Sequence, residues 1–322
     1  MIEDYNIEVS NLTKRYRDGF VAVNEISFTV KAGEIYGFLG PNGAGKSTTV
    51  NMLTTRIQPT SGHALVAGYD VCTKPQAVRR VSGVALQEIG IDPLMTAQEL
   101  LTLQARLFGF NRVEAHERSK SLLDTVRLST AASKPVGSYS GGMRRRLDLA
   151  LALIHKPRIL FLDEPTTGLD PASRRDIWAE VRRLNREQGM TIFLTTQYLE
   201  EADMLADRVG IINHGELVIE GQPAALKAAM GTEVVNITFA EAYQAQQAQQ
   251  VLATTVQQSQ TENETLYLYL NDAASNIASI VSALNDISLQ PQSLTITQPT
   301  LDDVFLKVTG QTFELLQPSE PS

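Results

Sequence analysis

The stretch GPNGAGKST, Gly40–Thr48, limits what this chain can fold into more than any other. It fits the pattern G-x-x-x-x-G-K-[ST] and follows the alternating run EISFTVKAGEIYGFLG, which reads as one strand ending at Gly40. Gly40, Gly43 and Gly45 let the backbone N–H groups of a tight loop turn inward around phosphate oxygens, and Pro41, Asn42 and Ala44 complete that loop. Lys46 supplies a cation for β and γ oxygens, and the Ser47 hydroxyl suits Mg²⁺. Thr48 enters a helix whose positive end faces the same charge. A strand that hands such a loop to a helix belongs to a parallel α/β sheet.

The sequence around the loop fits that architecture. IEVSNLTKRY reads as a strand, SGVALQEI as another that ends at Gln87, and TAQELLTLQARLFG opens a helix with a capping box of Thr96 and Glu99. A second amphipathic helix is expected over about 113–126. RILFLDE and TIFLTTQ are nearly continuous apolar runs, the kind a parallel sheet buries on both faces. The first of them delivers Asp163 and Glu164 at the carboxyl end of a strand, where open α/β sheets place their sites. Asp163 suits Mg²⁺, and Glu164 suits a general base for an attacking water. Adjacent acids mean little alone; beside a phosphate loop they indicate nucleotide hydrolysis. In YSGGMRRRLDLALAL, Ser140 can cap a helix that begins with Gly141 and Gly142, which makes a second anion site. A plain cap with an Arg-rich solvated face is the alternative.

The phosphate loop, Gln87, YSGGM, LFLDEP, TTGLDP and TTQYLEEAD occur in the order and spacing of the ATP-binding subunits of ABC transporters, a resemblance covering about residues 5–225. PTLDDVFLKVTG near the end resembles the drug-exporter branch related to the daunorubicin-resistance ATPases. The resemblance implies a P-loop ABC-type ATPase domain over 1–230, with a helical arm over about 90–138 that meets a membrane subunit. It implies ATP and Mg²⁺ as ligands and a head-to-tail homodimer in the ATP-bound state. Ser140, Gly141 and Gly142 would contact the γ-phosphate bound to the partner, and Asp170 would cross the same interface. Tyr16 would stack on adenine, unless it is an ordinary strand aromatic, and Gln87 would reach Mg²⁺ or water and link the site to the arm.

Two positions depart from the family pattern. The signature reads YSGGM where LSGGQ is usual, but the serine and glycines are kept. Gln197 stands at the switch position usually held by histidine, and the four histidines, His63, His116, His155 and His214, lie elsewhere. A glutamine amide donates to a phosphate oxygen without ever becoming a cation. An active but slower ATPase is expected.

Charge divides the chain. Residues 231–322 hold Lys307 against ten acids, a net of −9, and 13 glutamines, whereas residues 1–230 carry a net of +1. A boundary is therefore expected near Met230-Gly231, followed by an acidic α+β domain over 231–322 with a ferredoxin-like order of elements. Within it, strands are expected at 234–239, 251–259, 265–270 and 293–298, with helices at 241–250 and 273–284. The acidic tail argues against nucleic acid as a partner. Cys72 is the one cysteine and fits a reducing compartment, and the N-terminus carries no apolar signal region. No apolar run reaches the roughly 18 residues of a membrane span, so a membrane role needs a separate multi-span permease. The expected protein is cytoplasmic and peripheral on the inner face of the membrane. An importer ATPase and a soluble ABC ATPase acting on ribosomes or DNA are the alternatives; the exporter-like tail weighs against the first and the single ATPase domain against the second.

Overall fold

The computed structural model describes residues 5–86, 91–231, 233–253, 256, 258–271 and 273–309. The chain divides into two compact units, Met1–Glu220 and Gly221–Ser322.

The first unit contains two sheets. β1 (Tyr5–Arg15), β2 (Val21–Lys31), β4 (Ser61–Val66) and β5 (Tyr69–Asp70) form an antiparallel sheet in the order β2-β1-β4-β5. β3 (Ile35–Leu39), β6 (Ser82–Ala85), β7 (Ile159–Asp163), β8 (Thr191–Thr196), β9 (Arg208–Asn213) and β10 (Glu216–Gly221) form the second, in the order β10-β9-β3-β8-β7-β6. Its pairs β3–β9, β3–β8, β7–β8 and β6–β7 are parallel. EISFTVKAGEIYGFLG does not form the single strand its alternation suggests. It is β2 and β3, in different sheets, separated where Gly33 turns the chain at φ 75, a conformation open to glycine. Every residue of β3, β7 and β8 is buried, which explains their largely apolar character. Phe193 of β8 packs against Phe28, Tyr36, Phe38 and Phe161 with ring centroids 5.5–5.8 Å away, joining the two sheets through one aromatic cluster.

The helices of this unit are α1 (Lys46–Leu53), α2 (Pro75–Val81), α3 (Ala97–Leu107), α4 (Arg112–Thr125), α5 (Gly141–Ala152), α6 (Pro171–Gln188) and α7 (Leu199–Leu205). The stretch expected as the arm contains the helix pair α3–α4. Both open with capping boxes, Thr96 with Glu99 as the sequence indicates and Asn111 with Glu114. Leu101, Ala105, Ala115 and Leu122 face the core from the pair.

The second unit begins with α8 (Pro223–Ala228), earlier than the charge break. α8 packs on the closing helix α11 (Leu301–Thr309), so the fold of this unit starts before its acidic composition does. Between them run β11 (Glu233–Thr238), α9 (Ala242–Leu252), β12 (Gln258–Glu262), β13 (Thr265–Leu270), α10 (Ala273–Asp286) and β14 (Ser293–Thr297). The sheet is antiparallel in the order β12-β13-β11-β14. The strand expected over 251–259 instead begins at Gln258 and runs on to Glu262, because Ala245, Ala248 and Leu252 continue one buried helical face and hold α9 to Leu252.

Candidate active site

Strand register builds the site. Leu39 pairs with Thr196 and Asp163 with Thr195, so β3, β8 and β7 end side by side. The next residues on those strands are Gly40, Gln197 and Glu164. Distant parts of the sequence thus arrive at one sheet edge, the carboxyl edge expected of an open α/β sheet.

The loop from Gly40 to Gly45 fits closely against its surroundings. A Cβ on Gly40 would lie 2.4 Å from the Ile212 carbonyl oxygen, and one on Gly45 would lie 2.5 Å from that of Ala22. No larger side chain fits at either position without displacing backbone. The loop turns through Gly43 at φ 79 and Gly45 at φ 109, then passes into α1 at Lys46. Lys46 is 4% exposed; its Nζ donates to the carbonyls of Gly40 (2.8 Å) and Pro41 (3.0 Å) and lies 3.2 Å from Glu164 Oε1. Burial pulls the Lys46 ammonium below its usual pKa, and the Glu164 carboxylate opposes that shift.

Asp163 receives the Ser47 hydroxyl at 3.1 Å and the Thr195 hydroxyl at 2.6 Å on Oδ1. Ser47 and Asp163 are a hydroxyl and a carboxylate on one spot, an oxygen donor set that fits a hard cation such as Mg²⁺. Glu164 adopts φ 48, a left-handed conformation that costs a residue with a side chain on the order of 1 kcal/mol. Its N–H donates to the carbonyl and hydroxyl oxygens of Thr195, both at 3.1 Å, and the Thr167 hydroxyl donates to its Oε2 at 3.3 Å. The strain is held in place, and it aims the carboxylate beside Lys46.

A second cluster lies at the start of α5 and α6. Ser140 caps α5 by accepting the Met143 N–H. Asp170 caps α6, accepting the N–H groups of Ala172 and Ser173 at 3.0 Å and the Ser173 hydroxyl at 2.6 Å. The Ser173 bonds hold the Asp170 carboxyl below its usual range. The two helix starts touch: a Cβ on Gly142 would lie 2.7 Å from Ser173 Oγ, and one on Gly141 3.4 Å from Leu169 Cδ2. Ser140, Gly141, Gly142 and Asp170 are therefore brought together, apart from the phosphate loop in the sequence and on different elements.

The other expected residues fall as follows. Tyr16 stands just past β1, 41% exposed, with Phe20 stacked at 6.5 Å and Lys14 Nζ 5.5 Å from its ring; it is not an interior strand aromatic. Gln197 is half-buried directly after β8. Gln87 lies outside the described residues, and β6 ends at Ala85.

Two contributors escape a sequence reading. Thr195, inside an apolar strand, ties Asp163 to the Glu164 backbone. Arg145, in the run whose alternative reading is a solvated face, is buried: it donates to the carbonyls of Leu86, Asp163 (2.9 Å) and Pro165 (2.8 Å) and pairs with Asp148 at 3.1 Å. Arg144 and Arg146 also turn to backbone, the carbonyls of Tyr139 and Val126. The only hint in sequence is the position of the arginines inside an otherwise core-forming helix.

A phosphate cradle and a paired aspartate and glutamate on one sheet edge place the first unit among the P-loop ATPases. Comparison with known proteins gives the finer class. Residues 23–167 match the family described as ABC transporter, and residues 221–309 match the C-terminal domain of ATP-binding protein DrrA1-3-like sequences. The daunorubicin/doxorubicin resistance ATP-binding protein DrrA of Streptomyces peucetius is 41% identical over 94% of this chain and 92% of its own. The Nod factor export ATP-binding protein I of Sinorhizobium fredii is 39% identical over 96% of this chain and 87% of its own. Among solved structures, the ATP-binding cassette MJ0796, a dimer bound to ADP and Pi, superposes with a TM-score of 0.62 at 27% identity, over 67% of this chain and 98% of that one. The chain belongs to the ATP-binding proteins of ABC transporters, with a DrrA-like C-terminal domain, and it is an ATPase. Among the described residues no helix is long and apolar enough to cross a membrane.

Proposed function

We propose that this ATPase powers export. It works as a homodimer that ATP closes head to tail, fastened to a separate multi-span permease at the inner face of the cell membrane. One observation carries the dimer: the sequence holds a single phosphate loop, yet the fold assembles two clusters suited to anions, Gly40–Thr48 with Asp163 and Glu164, and Ser140–Gly142 with Asp170. A second copy gives the second cluster a phosphate to meet.

In this reading the loop holds the β and γ phosphates, Lys46 offsets their charge, and Tyr16 stacks on adenine. Ser47 and Asp163 would hold Mg²⁺, with Gln87 as the expected further ligand. When bound there, the cation neutralises charge that builds on the phosphate oxygens. Glu164 takes a proton from the attacking water. Gln197 donates its amide N–H to the γ-phosphate; as a neutral donor it adds no histidine titration to turnover and bonds about 1 kcal/mol more weakly than a protonated histidine. The partner's closure becomes work only where the arm grips a membrane protein. The cargo is a drug-like or hydrophobic compound, supported by relatives named for daunorubicin and doxorubicin resistance and for Nod factor export. No observation favours import or a ribosomal role.

Mixing two inactive variants tests the composite site. Ser140→Arg spoils the surface offered to the partner, along with the α5 cap, and leaves the chain's own phosphate loop intact; Lys46→Ala spoils the loop and leaves the Ser140–Gly142 surface intact. Each alone is expected to be inactive, and their mixture to recover hydrolysis, because mixed dimers hold one intact site. A mixture as inactive as its components contradicts sharing of the site between copies.

A further inference from the structure

The segment that carries Gln197 and the loop that carries Asp170 are tied together by contacts that phosphate chemistry does not require. Glu201, on α7 about one helical turn past Gln197, is fully buried. Its Oε1 accepts the Thr166 hydroxyl at 2.9 Å and the Trp178 indole N–H at 2.8 Å. Thr166 lies in the loop between Glu164 and Asp170, and Trp178 lies on α6, the helix that Asp170 caps. A second tie runs beside the first. The Arg174 guanidinium lies 4.4 Å from the centre of the Tyr198 ring, and its Nε donates to the Leu169 carbonyl at 3.3 Å. Both ties join residues just past Gln197 to the stretch around Asp170.

Burying a carboxyl is costly, and burial pushes the Glu201 carboxyl above its usual range. A leucine at this position would fill the space at lower cost and offer Thr166 and Trp178 no acceptor. What the carboxyl adds is a fixed geometry between two segments that follow neighbouring strands, β7 and β8.

We propose that Glu201 is a positioning residue for hydrolysis, locking the Gln197 segment to the loop Glu164–Asp170. The side of the site that meets the chain's own γ-phosphate and the side that crosses to the partner then move as one body. This rests on the roles given above to Gln197 and Asp170. Displacements of about 1 Å in such groups cost on the order of a hundredfold in rate, so a loosened tie acts on turnover.

The test is steady-state hydrolysis by the full chain, with ATP affinity and thermal unfolding measured on the same variants. Glu201→Ala is expected to lower kcat by about tenfold or more and to leave ATP affinity within about twofold. Glu201→Gln keeps an acceptor for both donors and should retain most of kcat. Trp178→Phe and Thr166→Val each remove one donor and leave the carboxyl, so they keep the test readable if Glu201→Ala fails to fold. Each is expected to lower kcat by about fivefold, the rate equivalent of one hydrogen bond. Glu200→Gln, at the exposed neighbour, should change nothing. The proposal is overturned if Trp178→Phe and Thr166→Val both keep full kcat. It is equally overturned if the losses fall on ATP affinity instead, or if Gln at 201 does no better than Ala. A Glu164→Gln control that abolishes turnover keeps the ATPase reading standing, so failure of the Glu201 role and failure of that reading are told apart.

Discussion

Glu164→Gln is expected to bind ATP normally and to hydrolyse it about a thousandfold more slowly than the wild type. The substitution keeps the side-chain size, and glutamine tolerates the left-handed φ of 48 no worse than glutamate does. Both bonds to Thr195, one to its carbonyl and one to its hydroxyl, come from the Glu164 backbone N–H and survive. What is lost for the chemistry is acceptance of a proton from water, which an amide cannot supply. The charge beside the bound phosphate is lost too, which favours the nucleotide. The closed dimer should therefore accumulate. Single-turnover hydrolysis and light scattering with MgATP read both effects. Wild-type turnover in this variant removes Glu164 from the chemistry.

Lys46→Ala acts at the other end of the same ion pair. The ammonium closes the loop on the carbonyls of Gly40 and Pro41 and sits 3.2 Å from Glu164, with both side chains almost wholly buried. Alanine removes the cation from a site that must gather phosphate charge. A fall of about a thousandfold in kcat/KM for ATP is expected, roughly 4 kcal/mol of transition-state stabilisation. Stability also suffers, because breaking a buried pair costs about 3 kcal/mol or more. Thermal unfolding should show that loss without nucleotide, and added ATP should restore little of it. Hydrolysis within tenfold of the wild type contradicts the placement of Lys46 on the phosphates.

The parts of this site that are local in sequence can be read from it. The phosphate loop, the acids after an apolar strand, and the caps at Thr96, Ser140 and Asp170 each depend on neighbours a few residues away. What cannot be read depends on partners far along the chain. Arg145 reaches carbonyls of β7 and the end of β6, Thr195 reaches Asp163, and Glu201 reaches Thr166 and Trp178. Within a window of ten residues, Thr195 and Glu201 look like any strand threonine or acidic helix residue, and Arg145 is marked only by its place inside a core-forming helix. The run from Glu25 to Leu39 misleads for a related reason: apolar residues continue on both sides of Gly33, whereas the chain changes sheet at the turn there. In the second unit the order of short amphipathic elements is legible, and the end of α9 is not, because Leu252 serves a helix face and a strand pattern equally well.

Affinity recovery of the chain from detergent-solubilised native membranes, with and without MgATP, bears most directly on an export role. An ATPase subunit of an exporter should bring with it a protein of several apolar spans, identifiable by mass spectrometry and retained through washing. Recovery of soluble partners alone, such as ribosomes, would leave the ATPase chemistry intact and contradict a function in export.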